Sequence, residues 1–237
     1  MKYLLLQARN PNDIARAEEH QAFAAQLECD ASEIESFDIL TQELNKDLFQ
    51  KYQMILVGGS GEYSVLDNDS RIKAFIDFLS VCVEEEHPLF ASCFGFQALV
   101  VGLGGSVIKD VPHAEVGTYQ LNLTEEGKKD DLFSTFPQVF NAQLGHQDRA
   151  SVMPSMAINL AYSERCPYQA FTIKDKPVYA TQFHPELTYK DNRLRFSRYM
   201  PIYGKLFGEK EAQARMDSHK PSPQSNKLLK MFSDKFS

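Results

Sequence analysis

The chain has 237 residues and a formal net charge of −7. A chain of this length can bury a substantial core as one α/β domain, and its acidity lacks the basic footprint of a nucleic-acid-binding protein. No stretch approaches the roughly 18 continuous apolar residues of a membrane-spanning helix. The four cysteines are scattered without a CxxC pair, which argues against a disulfide framework or a metal site and fits a reducing cytoplasm.

The first half of the chain alternates predicted strands with predicted helices. Apolar or alternating runs predict strands at 3–7, 34–39, 54–57 and 88–91. Apolar residues at helical spacing predict helices at 12–27, 69–83 and 94–101, the first with Ile14, Ala17, Phe23 and Ala24 as its apolar face. Such alternation is typical of a parallel sheet with helices on both faces and an active site at the carboxyl ends of its strands.

The second half is predicted to hold mostly strands. These are assigned to 106–109, 116–123, 138–144, 157–162, 169–173 and 178–183, with a short helix at 130–136 and a long one at 191–207. We expect a main domain at 1–207 and a C-terminal linker with a short helix at 208–237. The end of that segment carries Leu228, Leu229 and Phe232, and it either docks on the chain's own surface or serves as a partner-binding arm.

The most informative stretch surrounds Cys93. An apolar strand ends directly before it, and a helix-forming run follows. A sharp strand-to-helix turn of this kind lifts a nucleophile above the sheet and needs small neighbours, here Ala91, Ser92 and Gly95. It also places the sulfur at a helix N-terminus, where the dipole favours the thiolate. Taken alone, the stretch would equally fit a buried cysteine that ends a core strand.

A predicted strand also leads into His184-Pro185-Glu186. A cysteine nucleophile needs a base to take its proton, and the base needs an acceptor that fixes its tautomer. Proline fixes its own φ and restricts the preceding residue, so the turn would hold His184 and Glu186 in a defined relation. An ordinary surface turn is the alternative interpretation.

A third motif, Gly58-Gly59-Ser60-Gly61, follows the strand at 54–57. Such a loop lets backbone N–H groups approach a substrate and hold a developing oxyanion. Paired glycines also mark many plain turns, so this motif is weak by itself.

In this order, the three motifs resemble those of class I glutamine amidotransferase domains, and in particular those similar to the amidotransferase half of GMP synthase. The resemblance implies a flavodoxin-like, doubly wound, mostly parallel open sheet with a C-terminal helical extension. It implies a catalytic set of Cys93, His184 and Glu186. It also implies oxyanion donors at Gly59 and Phe94, although relatives often carry proline where this chain has serine after the paired glycines.

Further site residues follow from the same resemblance. The side-chain amide of Gln97 would meet the amide of the substrate. The segment Gly145-His146-Gln147 resembles part of a His-Gly-Asp motif whose backbone binds the α-amino and carboxylate groups of glutamine, with Gln147 in place of the glycine. His146 is a rival base, ranked below His184 because no carboxylate follows it in the usual frame.

The implied reaction is hydrolysis of the glutamine side-chain amide through a thioester on Cys93, without a cofactor or a metal ion. Three hypotheses remain open. The ammonia could pass to a separate synthetase subunit, or the chain could hydrolyse γ-glutamyl peptides or conjugates, or it could be a non-catalytic regulatory protein on the same fold. We expect a cytoplasmic protein with no nucleic-acid or membrane partner, and no P-loop motif points to an ATP site.

Overall fold

A nine-stranded sheet forms the centre of the molecule in a computed structural model that describes all residues, 1–237. Its strands are β1 (Tyr3–Gln7), β2 (Ile34–Asp38), β3 (Met54–Val57), β4 (Leu89–Ser92), β6 (Glu115–Leu123), β7 (Val139–His146), β9 (Ala157–Tyr162), β10 (Ala170–Ile173) and β11 (Val178–Thr181). They lie in the order β2-β1-β3-β4-β11-β10-β9-β6-β7. A separate two-stranded sheet pairs β5 (Ser106–Lys109) with β8 (Asp148–Val152).

The large sheet has two halves. The strands β2, β1, β3, β4 and β11 run parallel, and helices cross over between most of them. The strands β10, β9, β6 and β7 extend the sheet with antiparallel pairing. Antiparallel neighbours can be joined without a crossover helix. The predicted α/β fold is thus confirmed, and the antiparallel strands come from the strand-rich second half of the chain.

Eight α-helices accompany the sheets. They are α1 (Ala15–Leu27), α2 (Leu48–Lys51), α3 (Ser70–Glu84), α4 (Phe94–Gly102), α5 (Tyr189–Phe207), α6 (Glu209–Asp217), α7 (Pro223–Asn226) and α8 (Leu228–Phe236). No helix combines the length and apolar character that crossing a bilayer would require.

Each face of the sheet carries its own hydrophobic core. Because successive side chains of a strand point to opposite faces, Leu4 and Leu6 pack with α3 and α4 while Leu5 packs with α1 and α8. Burial on both faces explains why the central strands are continuous apolar runs rather than alternating ones.

Helix α1 differs from its prediction. Ile14 is 61% exposed and Ala17 is exposed, so neither belongs to the apolar face. The buried stripe instead runs at four-residue spacing through Ala15, Glu19, Phe23 and Leu27. Phe23 and Ala24 are buried as predicted. The N-terminal half of the face was placed wrongly, because the carboxylate of Glu19 occupies one of its buried positions.

One other local prediction needs correction. The helix expected at 130–136 is only a 3₁₀ turn at Phe133–Thr135. Strand β8 and helix α6 were not predicted. Both are largely polar and only partly buried, so hydrophobic periodicity gave little signal.

The C-terminal segment packs on the chain's own surface. Leu228, Leu229 and Phe232 at its end are fully buried. The Phe232 ring meets those of Phe90 and Tyr179, with centroids 5.3 and 5.7 Å apart. Of the two interpretations of this segment, the structure shows the docked helix.

Candidate active site

Cys93 lies on a strained turn between β4 and α4. Its φ of 51° and ψ of −98° are costly for a residue with a side chain, and such strain is typical of functional positions. The Cys93 N–H donates to the Thr181 carbonyl at 2.7 Å, which ties the turn to β11. A Cβ on Gly95 would lie 2.6 Å from Val57 Cγ1 and 3.0 Å from Ala91 Cβ, so only glycine allows α4 to start this close to the sheet.

His184 faces Cys93 across the glycine loop. A Cβ placed on Gly59 would lie 2.7 Å from His184 Cε1 and 3.7 Å from Cys93 Cβ. On the other side, a Cβ on Gly145 would lie 3.8 Å from His184 Nε2. His184 Nδ1 is bound to the Glu186 carboxylate at 2.6 Å, and both side chains are buried. The structure therefore brings the three predicted catalytic residues together, with Nε2 left for the sulfur.

The surrounding charges set the protonation of His184. Burial lowers its pKa, but the Glu186 carboxylate, the Cys93 thiolate and hydrogen bonds to both more than offset burial and raise it to about 10. These neighbours therefore favour the imidazolium form of the ring beside the Cys93 sulfur.

The glycine loop makes room for two side chains. A Cβ on Gly58 would lie 2.4 Å from the carboxyl carbon of Glu19, just as one on Gly59 would strike His184. The predicted oxyanion donor at Gly59 has its N–H bound to Glu19 Oε1 at 3.1 Å. Phe94, the other predicted donor, is the first residue of α4, where N–H groups have no partner within the helix.

Ser60 occupies the position where relatives often carry proline. Its hydroxyl donates to the Ala8 carbonyl at 2.8 Å and accepts from the Tyr63 N–H at 3.0 Å. The serine thus fixes the loop by hydrogen bonds where a proline would fix it by ring geometry.

A buried ion pair supports the loop from below, and sequence reasoning missed it. Arg9 donates to both carboxylate oxygens of Glu19, at 2.8 and 3.1 Å, and to Asp13 at 3.0 Å. Gln7 adds a hydrogen bond to Glu19 at 2.9 Å. Arg9 and Glu19 are 2% and 0% exposed, so each buried charge is stabilised by the opposite charge of its partner.

Gln97 does not present its amide N–H groups to the cavity. Its Nε2 donates to the Asp148 carbonyl at 2.8 Å and to Gln182 Oε1 at 3.3 Å, which uses both hydrogens. Gln182 in turn places its own Nε2 3.8 Å from the Cys93 sulfur. Gln182 was not predicted; the only sequence signal was a polar residue at the end of an apolar strand.

His146 is held inside the fold rather than offered to a substrate. Its Nδ1 is bound to the Asp148 carbonyl at 3.0 Å and its Nε2 to the Glu115 carboxylate at 3.1 Å. Both nitrogens are engaged, so this histidine is not free to act as the base. Its carboxylate partner, Glu115, lies on β6 and does not follow it in the sequence. The next residue, Gln147, lines the cavity.

A cavity of about 380 Å³ opens above Cys93. This volume falls within the range of about 300–1,000 Å³ that is usual for small-molecule sites. One wall consists of the glycine loop and the residues after it, a second of the 145–148 turn, and a third of α5.

Comparison with known proteins identifies the family. A family model described as class I glutamine amidotransferase matches residues 19–199. One subunit of the glutamine-hydrolysing GMP synthase of Methanocaldococcus jannaschii is 30% identical over 127 residues, which are 54% of this chain and 65% of that relative. The glutamine-hydrolysing GMP synthase of Thermosipho africanus is 33% identical over 176 residues, covering 74% of this chain but 30% of that protein. The match thus spans less than two thirds of these relatives.

Solved structures show the same fold. A glutamine amidotransferase from Thermotoga maritima superposes with a TM-score of 0.73 at 18% identity, over 100% of this chain and 97% of that one. The matched model covers most of the sequence, including the glycine loop, the cysteine elbow and His-Pro-Glu. The chain therefore belongs to the class I glutamine amidotransferase family.

Proposed function

We propose that this chain hydrolyses the side-chain amide of glutamine through a γ-glutamyl thioester on Cys93. The observation that carries the proposal is the convergence of Cys93, His184 and Glu186 at one end of the cavity, with the 2.6 Å bond that fixes the imidazole. The relatives named as glutamine-hydrolysing enzymes support the same substrate.

In the first step, the Cys93 thiolate attacks the amide carbon and the carbonyl oxygen becomes an oxyanion. The Phe94 N–H at the start of α4 is positioned to hold that charge, aided by the helix dipole. The Gly59 N–H can join it only if it leaves Glu19. Loss of one such donor typically costs about 3–4 kcal/mol of barrier.

Collapse of the tetrahedral intermediate breaks the carbon–nitrogen bond. The His184 imidazolium gives its Nε2 proton to the leaving nitrogen, which departs as ammonia, and the acyl group remains on sulfur. The neutral His184 then takes a proton from water, the hydroxide attacks the thioester, and glutamate leaves with regeneration of the thiolate–imidazolium pair. Glu186 holds Nδ1 throughout and stabilises the positive ring.

We further propose that the ammonia passes to a separate synthetase, because the Methanocaldococcus relative is named as one part of a GMP synthase with more than one chain. A second candidate, hydrolysis of γ-glutamyl peptides or conjugates, is favoured by Gln147, which lines the cavity at the position where the motif of the relatives has a glycine. Comparison of glutamine with a γ-glutamyl dipeptide, by release of ammonia or amine, distinguishes the two.

Substitution of the nucleophile tests the chemistry. Cys93→Ser should reduce ammonia release from glutamine to background, because the hydroxyl is a far weaker nucleophile at neutral pH. Cys29→Ala, at a half-buried cysteine outside the cavity, is the matched control and should retain activity. Glutaminase activity that survives in Cys93→Ser would refute the proposal.

A further inference from the structure

Helix α5 turns one face toward the catalytic cavity. The lining residues recur at helical spacing of three or four, and they are Asn192, Arg195, Phe196, Tyr199, Ile202 and Tyr203. Half of these residues are aromatic, and the single cationic side chain of this wall is Arg195.

Arg195 has no protein partner for its charge. It is half-buried and makes neither a hydrogen bond nor an ion pair in the structure. The arginine of the opposite wall, Arg9, is fully occupied by Glu19 and Asp13. A guanidinium carries five donors, and those of Arg195 have no protein acceptor, so they are available to a ligand in the cavity.

The carboxylates near Arg195 are already bound to other arginines. Hydrogen bonds from Arg198 lower the pKa of Glu18, and Arg195 adds a smaller effect of the same sign. Burial raises the pKa of Glu19, but Arg9 overcomes it, again with a contribution from Arg195. Since Glu19 also binds the Gly59 N–H, Arg195 lies near the glycine loop, and it forms no ion pair of its own.

The carbonyl groups of the 145–148 turn do not bind a carboxylate. The Gln147 carbonyl accepts from the Asp110 N–H at 2.8 Å, and the Asp148 carbonyl accepts from Gln97 and His146. Carbonyl oxygens in any case repel a carboxylate. An arginine, by contrast, matches a carboxylate with two parallel hydrogen bonds.

We propose that Arg195 binds the α-carboxylate of the glutamyl substrate, so that α5 selects γ-linked glutamyl compounds whose α-carboxylate is free. This inference rests on the proposed function, because it takes the γ-carbonyl to be at Cys93. Arg195 then stabilises the bound substrate and the transition state to the same extent.

Steady-state kinetics with glutamine test the inference. Arg195→Gln should raise KM about 10- to 100-fold while kcat stays nearly unchanged, as expected for loss of a charged hydrogen bond used only in binding. The KM of Arg195→Lys should lie between that of the wild type and that of Arg195→Gln. Arg193→Gln is the matched control, since Arg193 is exposed on the same helix and does not line the cavity.

A substrate without the α-carboxylate separates recognition from a structural role. The amide 4-aminobutanamide should be hydrolysed with the same kcat/KM by the wild type and by Arg195→Gln. An unchanged KM for glutamine, or an equal loss for both amides, would overturn the assignment of Arg195.

Calorimetric binding of glutamine to Cys93→Ser, with and without Arg195→Gln, does not depend on turnover. We expect the second substitution to weaken binding about 10- to 100-fold. Binding that is unaffected by Arg195→Gln removes this inference and leaves the proposed function standing. Absence of any glutamine binding to Cys93→Ser, together with no ammonia release by the wild type, removes both.

Discussion

At the scale of single residues, His184 is held between the Glu186 carboxylate and the Cys93 sulfur. Glu186 binds its Nδ1, and the sulfur of Cys93 lies on the side of Nε2. These neighbours favour a protonated ring, so in the proposed mechanism the proton that the leaving nitrogen needs is in place before glutamine binds. In that mechanism, the residue that resembles a general base in sequence acts first as a general acid.

The loss of activity at high pH should report the loss of the proton from the His184 ring. Because the pKa of His184 is raised to about 10, the imidazolium persists through neutral pH and is lost only as the pH rises through that value. We expect kcat/KM for glutamine to fall with an apparent pKa near 10 in the wild type. In Glu186→Gln the largest effect that raises the pKa is gone, so the fall should move to lower pH.

The exposed Glu164 provides the control for that profile. Glu164→Gln should reproduce the wild-type alkaline limb. If Glu186→Gln also reproduced it, with activity still measurable, the Glu186 carboxylate would not set the protonation of His184.

At the scale of elements, α1 and the glycine loop are joined through Glu19. The carboxylate fills the space that Gly58 leaves free, accepts the Gly59 N–H and neutralises Arg9. Helix α1 thus fixes the glycine loop that packs against His184, although none of the helix's residues lines the cavity.

Neighbouring glutamates on α1 allow a matched test of this link. Glu19→Gln should lower the free energy of unfolding by about 3–5 kcal/mol, because it leaves the buried charge of Arg9 largely uncompensated. Glu18→Gln removes a partner from Arg198 in a surface pair and should cost about 0–1 kcal/mol. Urea unfolding monitored at neutral pH measures both. Equal losses for the two variants would contradict the assigned role of Glu19.

The strand-and-turn motifs could be predicted from sequence, while the contacts between elements could not. Cys93, the glycine loop and His184 are each coded by a local pattern, an apolar strand followed by small or rigid residues. Glu19 and Gln182 carry no such pattern, because a polar residue on a helix or strand is normally assigned to solvent. Their burial depends on partners that lie 10 and 89 positions away in the chain.

At the scale of the whole molecule, the parallel half of the sheet assembles the chemistry. The strands β3, β4 and β11 are adjacent, and their carboxyl ends place the glycine loop, Cys93 and His184 at one edge. The antiparallel half contributes the 145–148 turn, and α5 closes the remaining side. The C-terminal helices belong to the same packed body, since α8 completes the core beneath β1 and β4.

The four cysteines of the chain let one measurement test the central claim. Burial raises the pKa of the Cys29, Cys82 and Cys166 thiols, so each is a poor nucleophile at neutral pH. The protein is incubated at pH 7 with an electrophilic analogue of glutamine, digested and mapped by mass spectrometry. We expect a single adduct, on Cys93, that excess glutamine prevents and that His184→Ala slows. Modification spread over the other cysteines, or labelling of Cys93 that glutamine does not affect, would contradict the account.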